Sequence, residues 1–351
     1  MKYRPLGKSG LIVSNQILGT MGLGSETPEK EAFAILDAFV DAGGNMVDTA
    51  DVYGGGASEQ LLGRWLARRK EDAGHVVIAT KARFGTGGDI NDCGNSRPHL
   101  KRALETSLRR LGTETIDLYQ MHGWDPLTPV EETLSFLDAA MRAGKIHYIG
   151  LSNMTGWQLQ LFISTAKAMG IPAPVTLQQQ YNLVYRESDY EVLPAVVHNG
   201  LGLLPWSPLA GGFLSGKYAK DGPRTSQARL NNDDVMTRHM KQELFRHDRN
   251  WAILEAVQKV AGQAGLTPSQ VALAWAGNDP SVASVIIGAR TLEQLADNVG
   301  AADLQLDAQS LLTLNDVSAP SPGDYPYGRF GVLQRHRYTD SSDQALKELA
   351  N

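Results

Sequence analysis

The sequence predicts an α/β protein, a single-domain (β/α)8 TIM barrel with an N-terminal β-hairpin plug and a long loop between strand 7 and strand 8. Eight short β-branched or apolar runs recur along the chain, most of them about 30 residues apart, with helical periodicity between them. This alternation is typical of a parallel sheet, and one barrel commonly occupies a chain of 351 residues. We expect residues 4–301 to form the barrel core and residues 318–351 a tail packed on or near it.

The eight predicted strands cover residues 16–19, 45–50, 75–81, 116–122, 147–153, 175–182, 201–207 and 281–288. Ahead of them, residues 3–13 carry Gly7 and the pair Ser9-Gly10, a turn signal that predicts a hairpin. Because this hairpin precedes the first barrel strand, we expect it to close the amino-terminal end of the barrel.

Helix start and stop signals lie between these strands. Thr128 and Thr267 are each followed by Pro and then by Glu or Gln, which predicts two capping boxes with Pro at the first helical position. Gly144, Gly170 and Gly200 lie where helices should end. The last connection spans about 75 residues, too many for one helix, so we expect a long loop at 211–232 and helices within 250–277.

An open, doubly wound sheet is the alternative fold. It predicts a G-x-G-x-x-G turn after an early strand, whereas residues 19–24 follow the pattern G-x-x-G-x-G. The barrel is therefore favoured, and in a barrel the chemistry lies at the carboxyl ends of the strands.

Composition argues against several classes of partner and site. The net charge of −5 and the lack of a basic cluster interleaved with aromatics argue against nucleic acid as a partner. We expect no membrane partner and a cytoplasmic location, because the chain shows neither a signal-peptide pattern nor a long apolar run. The single Cys93 excludes an intramolecular disulfide and any multi-cysteine metal site, and no metal is expected.

Four polar residues lie at predicted strand ends, where side chains face the mouth of a barrel. Asp48, Lys81 and His122 end three successive strands, and Tyr53 follows Asp48 by five residues. Each alone has an ordinary explanation, as a loop cap, a packed ring or a solvated charge. Together they suggest acid–base chemistry, because an ammonium lowers the pKa of a nearby phenol from its usual value near 10, and a carboxylate keeps that ammonium charged. His122 would then donate to the substrate oxygen.

This set resembles the catalytic tetrad of the aldo-keto reductase superfamily, with Asp48, Tyr53, Lys81 and His122 at the matching positions. The resemblance extends from about residue 4 to residue 301. Further motifs that carry it are residues 46–54 (MVDTADVYG), 79–81 (ATK), 150–153 (GLSN), 178–183 (QQQYNL), 206–210 (WSPLA), 216–218 (GKY) and 287–290 (IGAR).

The resemblance also implies a binding site for NADP(H). The implied cofactor residues are Thr20 after the first strand; Ser152, Asn153, Gln178 and Trp206 at the nicotinamide; Ser207, Pro208, Leu209, Gly211 and Lys217 at the pyrophosphate and ribose; Arg229 as a clamp over the cofactor; and Gly288, Arg290, Gln294 and Asn298 at the adenosine phosphate. Arg224 competes with Arg229 for the clamp, and Gln294 could instead cap a helix that begins at Thr291. Arg290 favours NADPH, since a guanidinium pairs with the 2′-phosphate.

By this resemblance the chain reduces an aldehyde or ketone, a small-molecule carbonyl substrate, with Tyr53 as general acid. Two alternatives stay open. Potassium-channel β subunits share the same motifs, so a redox-sensing nicotinamide-binding role is one of them. The other is an alcohol dehydrogenase working in the oxidative direction. The glycines at 54–56 and the polar loop at 84–92 depart from the usual family pattern and are expected to shape access for substrate.

Overall fold

A computed structural model describes residues 1–69, 74–219 and 235–335. Its main feature is a sheet of eight parallel strands, which lie side by side in chain order except that the last strand pairs with the first. The strands are β3 (Gln16–Gly19), β4 (Met46–Asp48), β5 (Val77–Ala82), β6 (Ile116–Met121), β7 (Ile146–Ser152), β8 (Thr176–Gln180), β9 (Gly202–Trp206) and β10 (Val285–Ile287). A parallel bridge between Leu203 and Val282 joins β9 to the segment before β10 and brings the two sheet edges together. The prediction of an eight-stranded barrel is confirmed.

The predicted N-terminal hairpin is present. β1 (Tyr3–Pro5) pairs antiparallel with β2 (Ile12–Ser14). Leu6 and Val13 are fully buried in a cluster with the inward-facing barrel residues Ile17, Met46, Val77, Ala79, Leu118, Leu204, Ala283 and Ile286. A side chain at Gly7 would place its Cβ 2.2 Å from the Val175 carbonyl oxygen, so the turn approaches the strand ends as only glycine allows. The hairpin therefore fills the amino-terminal end of the barrel.

Helices connect the strands and follow the last of them. These are α1 (Glu29–Asp41), α2 (Ala57–Arg69), α3 (Arg97–Leu111), α4 (Val130–Arg142), α5 (Gly156–Met169), α6 (Val192–Asn199), α7 (Val235–Arg246), α8 (Asp248–Ala264), α9 (Pro268–Asn278), α10 (Leu292–Val299), α11 (Ala308–Ser318) and α12 (Arg329–Arg335). In α1, Ala32, Ile35, Leu36 and Phe39 are buried at the i, i+3, i+4, i+7 spacing of an amphipathic helix. Gly170 and Gly200 end α5 and α6 in the left-handed conformation, as predicted.

The two predicted capping boxes differ in outcome. Thr267 Oγ1 accepts from the backbone N–H of Gln270, and Gln270 Oε1 accepts from the backbone N–H of Thr267. This capping box is confirmed. The prediction at Thr128 is wrong, because the Thr128 hydroxyl donates to the Asp125 carboxylate at 2.6 Å and α4 begins after Pro129 without a side-chain cap.

The long connection between β9 and β10 begins with a 3₁₀ turn at Ala210–Ser215 and continues into α7, α8 and α9. The helices predicted within 250–277 are found, separated at Gly265. Most of the loop predicted at 211–232, including Arg224 and Arg229, lies outside the described residues. Further along, Arg186 and Arg249 donate to Ser318 at the end of α11, which ties this helix to the barrel. In the part of the chain that the structure describes, no helix has the length and hydropathy to cross a membrane.

Candidate active site

Three neighbouring strands bring the predicted acid–base residues to one end of the barrel. Asp48 ends β4, Lys81 lies near the end of β5, and His122 follows β6 directly. Tyr53 begins the short 3₁₀ turn that follows β4. Parallel strands end on the same side of the barrel. Asp48 and His122 therefore lie in one cluster at the carboxyl-terminal mouth, although 74 residues separate them in sequence.

Lys81 is at the centre of this cluster and is fully buried. Its ammonium nitrogen donates to Asp48 Oδ2 at 2.6 Å, to the Thr49 carbonyl at 2.7 Å and to the Tyr53 hydroxyl at 3.2 Å. Burial by itself lowers the pKa of Lys81, but the Asp48 carboxylate and the Tyr53 hydroxyl outweigh it and raise the pKa above the ordinary value. The cation is therefore charged and faces the phenol oxygen.

Two amides hold Asp48 from the opposite side. Gln120 Nε2 and Gln178 Nε2 each donate to Asp48 Oδ1 at 2.9 Å, and Gln178 also donates to the Gln120 side-chain oxygen at 3.2 Å. One carboxylate oxygen thus faces Lys81 and the other faces the two glutamines. The sequence analysis missed Gln120. The available signal was a polar residue between Tyr119 and Met121, near the end of strand β6.

His122 is buried, with 8 % of its surface exposed. Its ring centroid lies 5.8 Å from that of Tyr53 in an edge-to-face arrangement, and Nδ1 finds no hydrogen-bond partner among the described residues. Burial, and then the charges of Lys81 and Arg83, lower the pKa of His122 far below its ordinary value. The imidazole is therefore neutral, with one nitrogen able to donate and the other able to accept.

An arginine from α3 holds the turn that carries Tyr53. Arg110 donates to the Asp51 carbonyl at 2.9 Å, to Glu59 Oε2 at 3.1 Å and to the Gly55 carbonyl at 3.4 Å. A Cβ at Gly56 would lie 2.2 Å from the guanidinium carbon. The triple glycine at 54–56 therefore lets the turn close over Arg110. Nothing in the sequence identified Arg110, because 59 residues separate it from Asp51.

The residues implied for the nicotinamide lie beside this cluster on β7, β8 and β9. Trp206 Nε1 donates to Asn153 Oδ1 at 3.1 Å. Asn153 Nδ2 in turn donates to the His122 carbonyl at 2.9 Å and to Ser152 Oγ at 3.1 Å. Together with the bonds of Gln178 to Asp48, these contacts make one hydrogen-bonded network around the mouth.

The residues implied for the phosphates line the segment after β9. Gly211 N donates to Ser207 Oγ at 3.1 Å, and Asn182 Nδ2 donates to the Ser207 carbonyl at 2.9 Å. Pro208 and Leu209 lie between these anchors, and Lys217 is exposed beyond the 3₁₀ turn. Arg229 and the alternative Arg224 lie outside the described residues, so the arginine clamp over the cofactor stays a prediction.

The residues implied for the adenosine phosphate lie after β10. Asn298 Nδ2 donates to the Gly288 carbonyl at 3.0 Å, and Gln294 Oε1 accepts from Arg290 N at 2.9 Å. Gln294 N also donates to Thr291 Oγ1 at 3.2 Å, so its backbone takes part in the cap of α10.

Thr20, the implied cofactor residue after the first barrel strand, is fully buried, and its hydroxyl forms a hydrogen bond with the Ser58 hydroxyl at 2.7 Å.

A (β/α)8 barrel with an aspartate, a tyrosine, a lysine and a histidine at this mouth has the architecture of the aldo-keto reductases. The model of the Aldo/keto reductase family matches residues 16–319, and the chain belongs to this family. Family membership and the names of its relatives make it a carbonyl/alcohol oxidoreductase by class.

Individual relatives extend this comparison. The chain is 39% identical over 332 residues to the "Uncharacterized oxidoreductase YrpG" of Bacillus subtilis (strain 168), covering 92% of this chain and 97% of that protein. It is 36% identical over 311 residues to the "Probable voltage-gated potassium channel subunit beta" of Oryza sativa subsp. japonica, covering 87% and 92%. It is 32% identical over 350 residues to the "Versiconal hemiacetal acetate reductase" of Aspergillus parasiticus, covering 92% and 100%.

Proposed function

We propose that this protein is an NADPH-dependent reductase of aldehydes or ketones, with Tyr53 as the general acid. The observation that carries the proposal is the position of the buried Lys81 ammonium, which contacts both Asp48 and the Tyr53 hydroxyl. Such a cation stabilises the phenolate that remains when the hydroxyl gives up its proton. Asp48 offsets the cost of burying the ammonium and keeps it charged.

The residues of the mouth fit a nicotinamide cofactor. The non-glycine residues Asn153, Ser207 and Ala210 have φ values of 55°, 54° and 49°. Asn153 directly follows β7, Ser207 directly follows β9, and Ala210 begins the next 3₁₀ turn. Backbone in this region is costly for such residues, so its concentration at one edge favours a functional site there. Trp206 is half-buried beside them, oriented by Asn153. We assign the nicotinamide to Trp206, Asn153 and their neighbours Ser152 and Gln178.

NADPH, when bound at these residues, would supply the hydride for the carbonyl carbon. Tyr53 gives its hydroxyl proton to the carbonyl oxygen, and Lys81 stabilises the resulting phenolate. His122, neutral and directly beside Tyr53, donates a hydrogen bond to the same oxygen as negative charge develops on it. Solvent then returns a proton to Tyr53. We assign the cofactor phosphates to residues 207–217, Gly288 and Arg290. We also propose that the chain forms one barrel domain.

A second candidate function follows from the resemblance to the channel β subunit of Oryza sativa. In that case the protein would bind the nicotinamide and report its redox state to a partner, and the same four residues would be retained. A third, oxidation of alcohols, uses the same groups in reverse.

Consumption of NADPH separates these candidates. The protein is incubated with excess NADPH and a panel of aldehydes, ketones, sugars and quinones, with NADH as the control. Many turnovers per protein molecule with at least one carbonyl compound support the reductase. A single stoichiometric burst would contradict it and favour the sensor. Faster oxidation of alcohols with NADP⁺ than reduction of the matching carbonyls, at equal nucleotide concentrations, would favour the dehydrogenase.

A further inference from the structure

Arg83 lies at the mouth of the barrel, two residues after the buried Lys81. Lys81 lies near the end of β5, and Arg83 is the first residue after this strand. The backbone of Arg83 has a φ of 151°, and its carbonyl accepts from Gly94 N at 2.8 Å. This is a conformation that side chains rarely adopt, and it is held by the loop that follows β5.

The guanidinium of Arg83 lies close to His122. Its Cζ is 5.0 Å from the centre of the Phe84 ring, and that ring is 4.7 Å from the ring of His122. A Cβ at Gly123, the residue after His122, would lie 3.9 Å from Arg83 Cδ and Nε. Arg83 is half-buried and Phe84 is 39 % exposed, so this pair borders the entrance to the acid–base cluster.

Within residues 1–69, 74–219 and 235–335, Arg83 forms no direct ion pair, and its Nε is buried without a hydrogen-bond partner. Asp125 lies within electrostatic range of Arg83. Against the effect of burial, hydrogen bonds from Thr128, Asn95 and Leu127 lower the pKa of the Asp125 carboxyl, and the charge of Arg83 lowers it further.

Other arginines around the same mouth are paired. Arg102 contacts Asp92 and Arg110 contacts Glu59. A half-buried guanidinium without a partner is unfavourable unless a ligand completes it.

We propose that Arg83 binds an anionic group, a carboxylate or a phosphate, on the carbonyl substrate. The proposal rests on the function proposed above, and it names the class of substrate. With the carbonyl oxygen at Tyr53 and His122, an anion a few atoms away along the substrate would reach the fork of Arg83. A guanidinium suits this task because it donates two parallel hydrogen bonds to such a group.

A purely structural role for Arg83 makes a different prediction. If its charge served only to stack on Phe84, removing it would affect charged and neutral substrates equally. Pairs of substrates that match in shape and differ in charge therefore separate the two roles. The carboxybenzaldehydes (ortho, meta and para) and the corresponding nitrobenzaldehydes are such pairs, because a nitro group has nearly the shape of a carboxylate without its net charge.

The experiment measures kcat/KM for these pairs in the wild type, in Arg83→Gln and in Arg83→Lys. We expect Arg83→Gln to lower kcat/KM for at least one carboxybenzaldehyde by about 10- to 100-fold relative to its nitro partner, the range for a hydrogen bond to a charged group. The loss should appear mainly in KM. Arg83→Lys should recover part of it, and added salt should weaken the preference in the wild type. Arg142→Gln, which removes an exposed charge on α4, is the matched control.

An unchanged ratio of carboxylate to nitro substrates in Arg83→Gln would overturn the assignment. If no aldehyde is turned over at all, the proposed function fails, and calorimetric titration with benzoate then tests Arg83 on its own. Binding of benzoate to the wild type that is lost in Arg83→Gln supports the anion site, while equal or absent binding in both rejects it.

Discussion

Arg290 Nη2 lies 2.6 Å from Glu26 Oε2, so the cation that the sequence assigns to the 2′-phosphate of NADPH faces a carboxylate from the loop after β3. Both side chains are 34% exposed, and Nη2 makes no hydrogen bond of good geometry in this contact. A phosphate at Arg290 would have to displace Glu26 or tolerate its charge. Glu26 is therefore expected to lower the preference for NADPH over NADH.

The first prediction concerns this pair. Glu26→Gln should tighten the binding of NADPH relative to NADH by about 3- to 10-fold, since an exposed ion pair contributes up to about 1 kcal/mol and its carboxylate also repels the phosphate. Fluorescence titration with both nucleotides measures the ratio. Glu29→Gln is the matched control, because Glu29 lies on the same segment but pairs with Arg64. An unchanged ratio in Glu26→Gln would show that Glu26 does not influence the choice of nucleotide.

Tyr53→Phe tests the general acid directly. The variant should bind NADPH with nearly unchanged affinity and lose at least about 100-fold in kcat, the usual contribution of a positioned acid. Tyr119→Phe is a control within the same barrel, since Tyr119 is fully buried and its hydroxyl has no hydrogen-bond partner among the described residues. Comparable activity of Tyr53→Phe and Tyr119→Phe would remove Tyr53 from the proposed role.

The protonation state of His122 gives a prediction about pH. Burial and the two nearby cations lower the pKa of His122, so the ring should stay neutral throughout the range from about pH 5.5 to 8.5. NMR of the protein labelled in histidine, with His122→Gln to assign the resonance, should show no titration of His122 in this range. A midpoint near 6.5 would contradict this prediction, because the ring would then be an imidazolium below that pH.

Much of the site could be predicted because its polar residues interrupt apolar strands. Asp48 ends β4 and Lys81 lies next to the last residue of β5, and the parallel register of these strands suffices to bring them together. Contacts made across the fold were not predictable in this way. Arg110 reaches the turn from α3, and Glu26 reaches Arg290 from the opposite end of the chain. In the same way, the capping box predicted at Thr128 is absent because Asp125 takes the hydroxyl.

Asp51 gives a prediction about stability. The side chain is 1 % exposed, and neither carboxylate oxygen has a hydrogen bond of good geometry with the described residues. Burial, and then the nearby Glu59 carboxylate, raise the pKa of Asp51 from 3.8 to about 7, against the opposing effect of Arg110. The folded protein therefore holds this proton more tightly than the unfolded chain does. The resulting stabilisation is fully present below about pH 4 and is lost as the pH rises through 7.

Asp51→Asn resembles the protonated carboxyl and should not show this loss. A tenfold change in proton affinity corresponds to about 1.4 kcal/mol, so the variant should exceed the wild type in free energy of unfolding by roughly 2–4 kcal/mol at pH 8 and match it near pH 4. Urea unfolding at several pH values measures the difference, with Asp316→Asn on the exposed side of α11 as the control. If Asp51→Asn is instead less stable than the wild type at pH 8, the fold stabilises the ionised carboxylate, and the pKa of Asp51 is not raised.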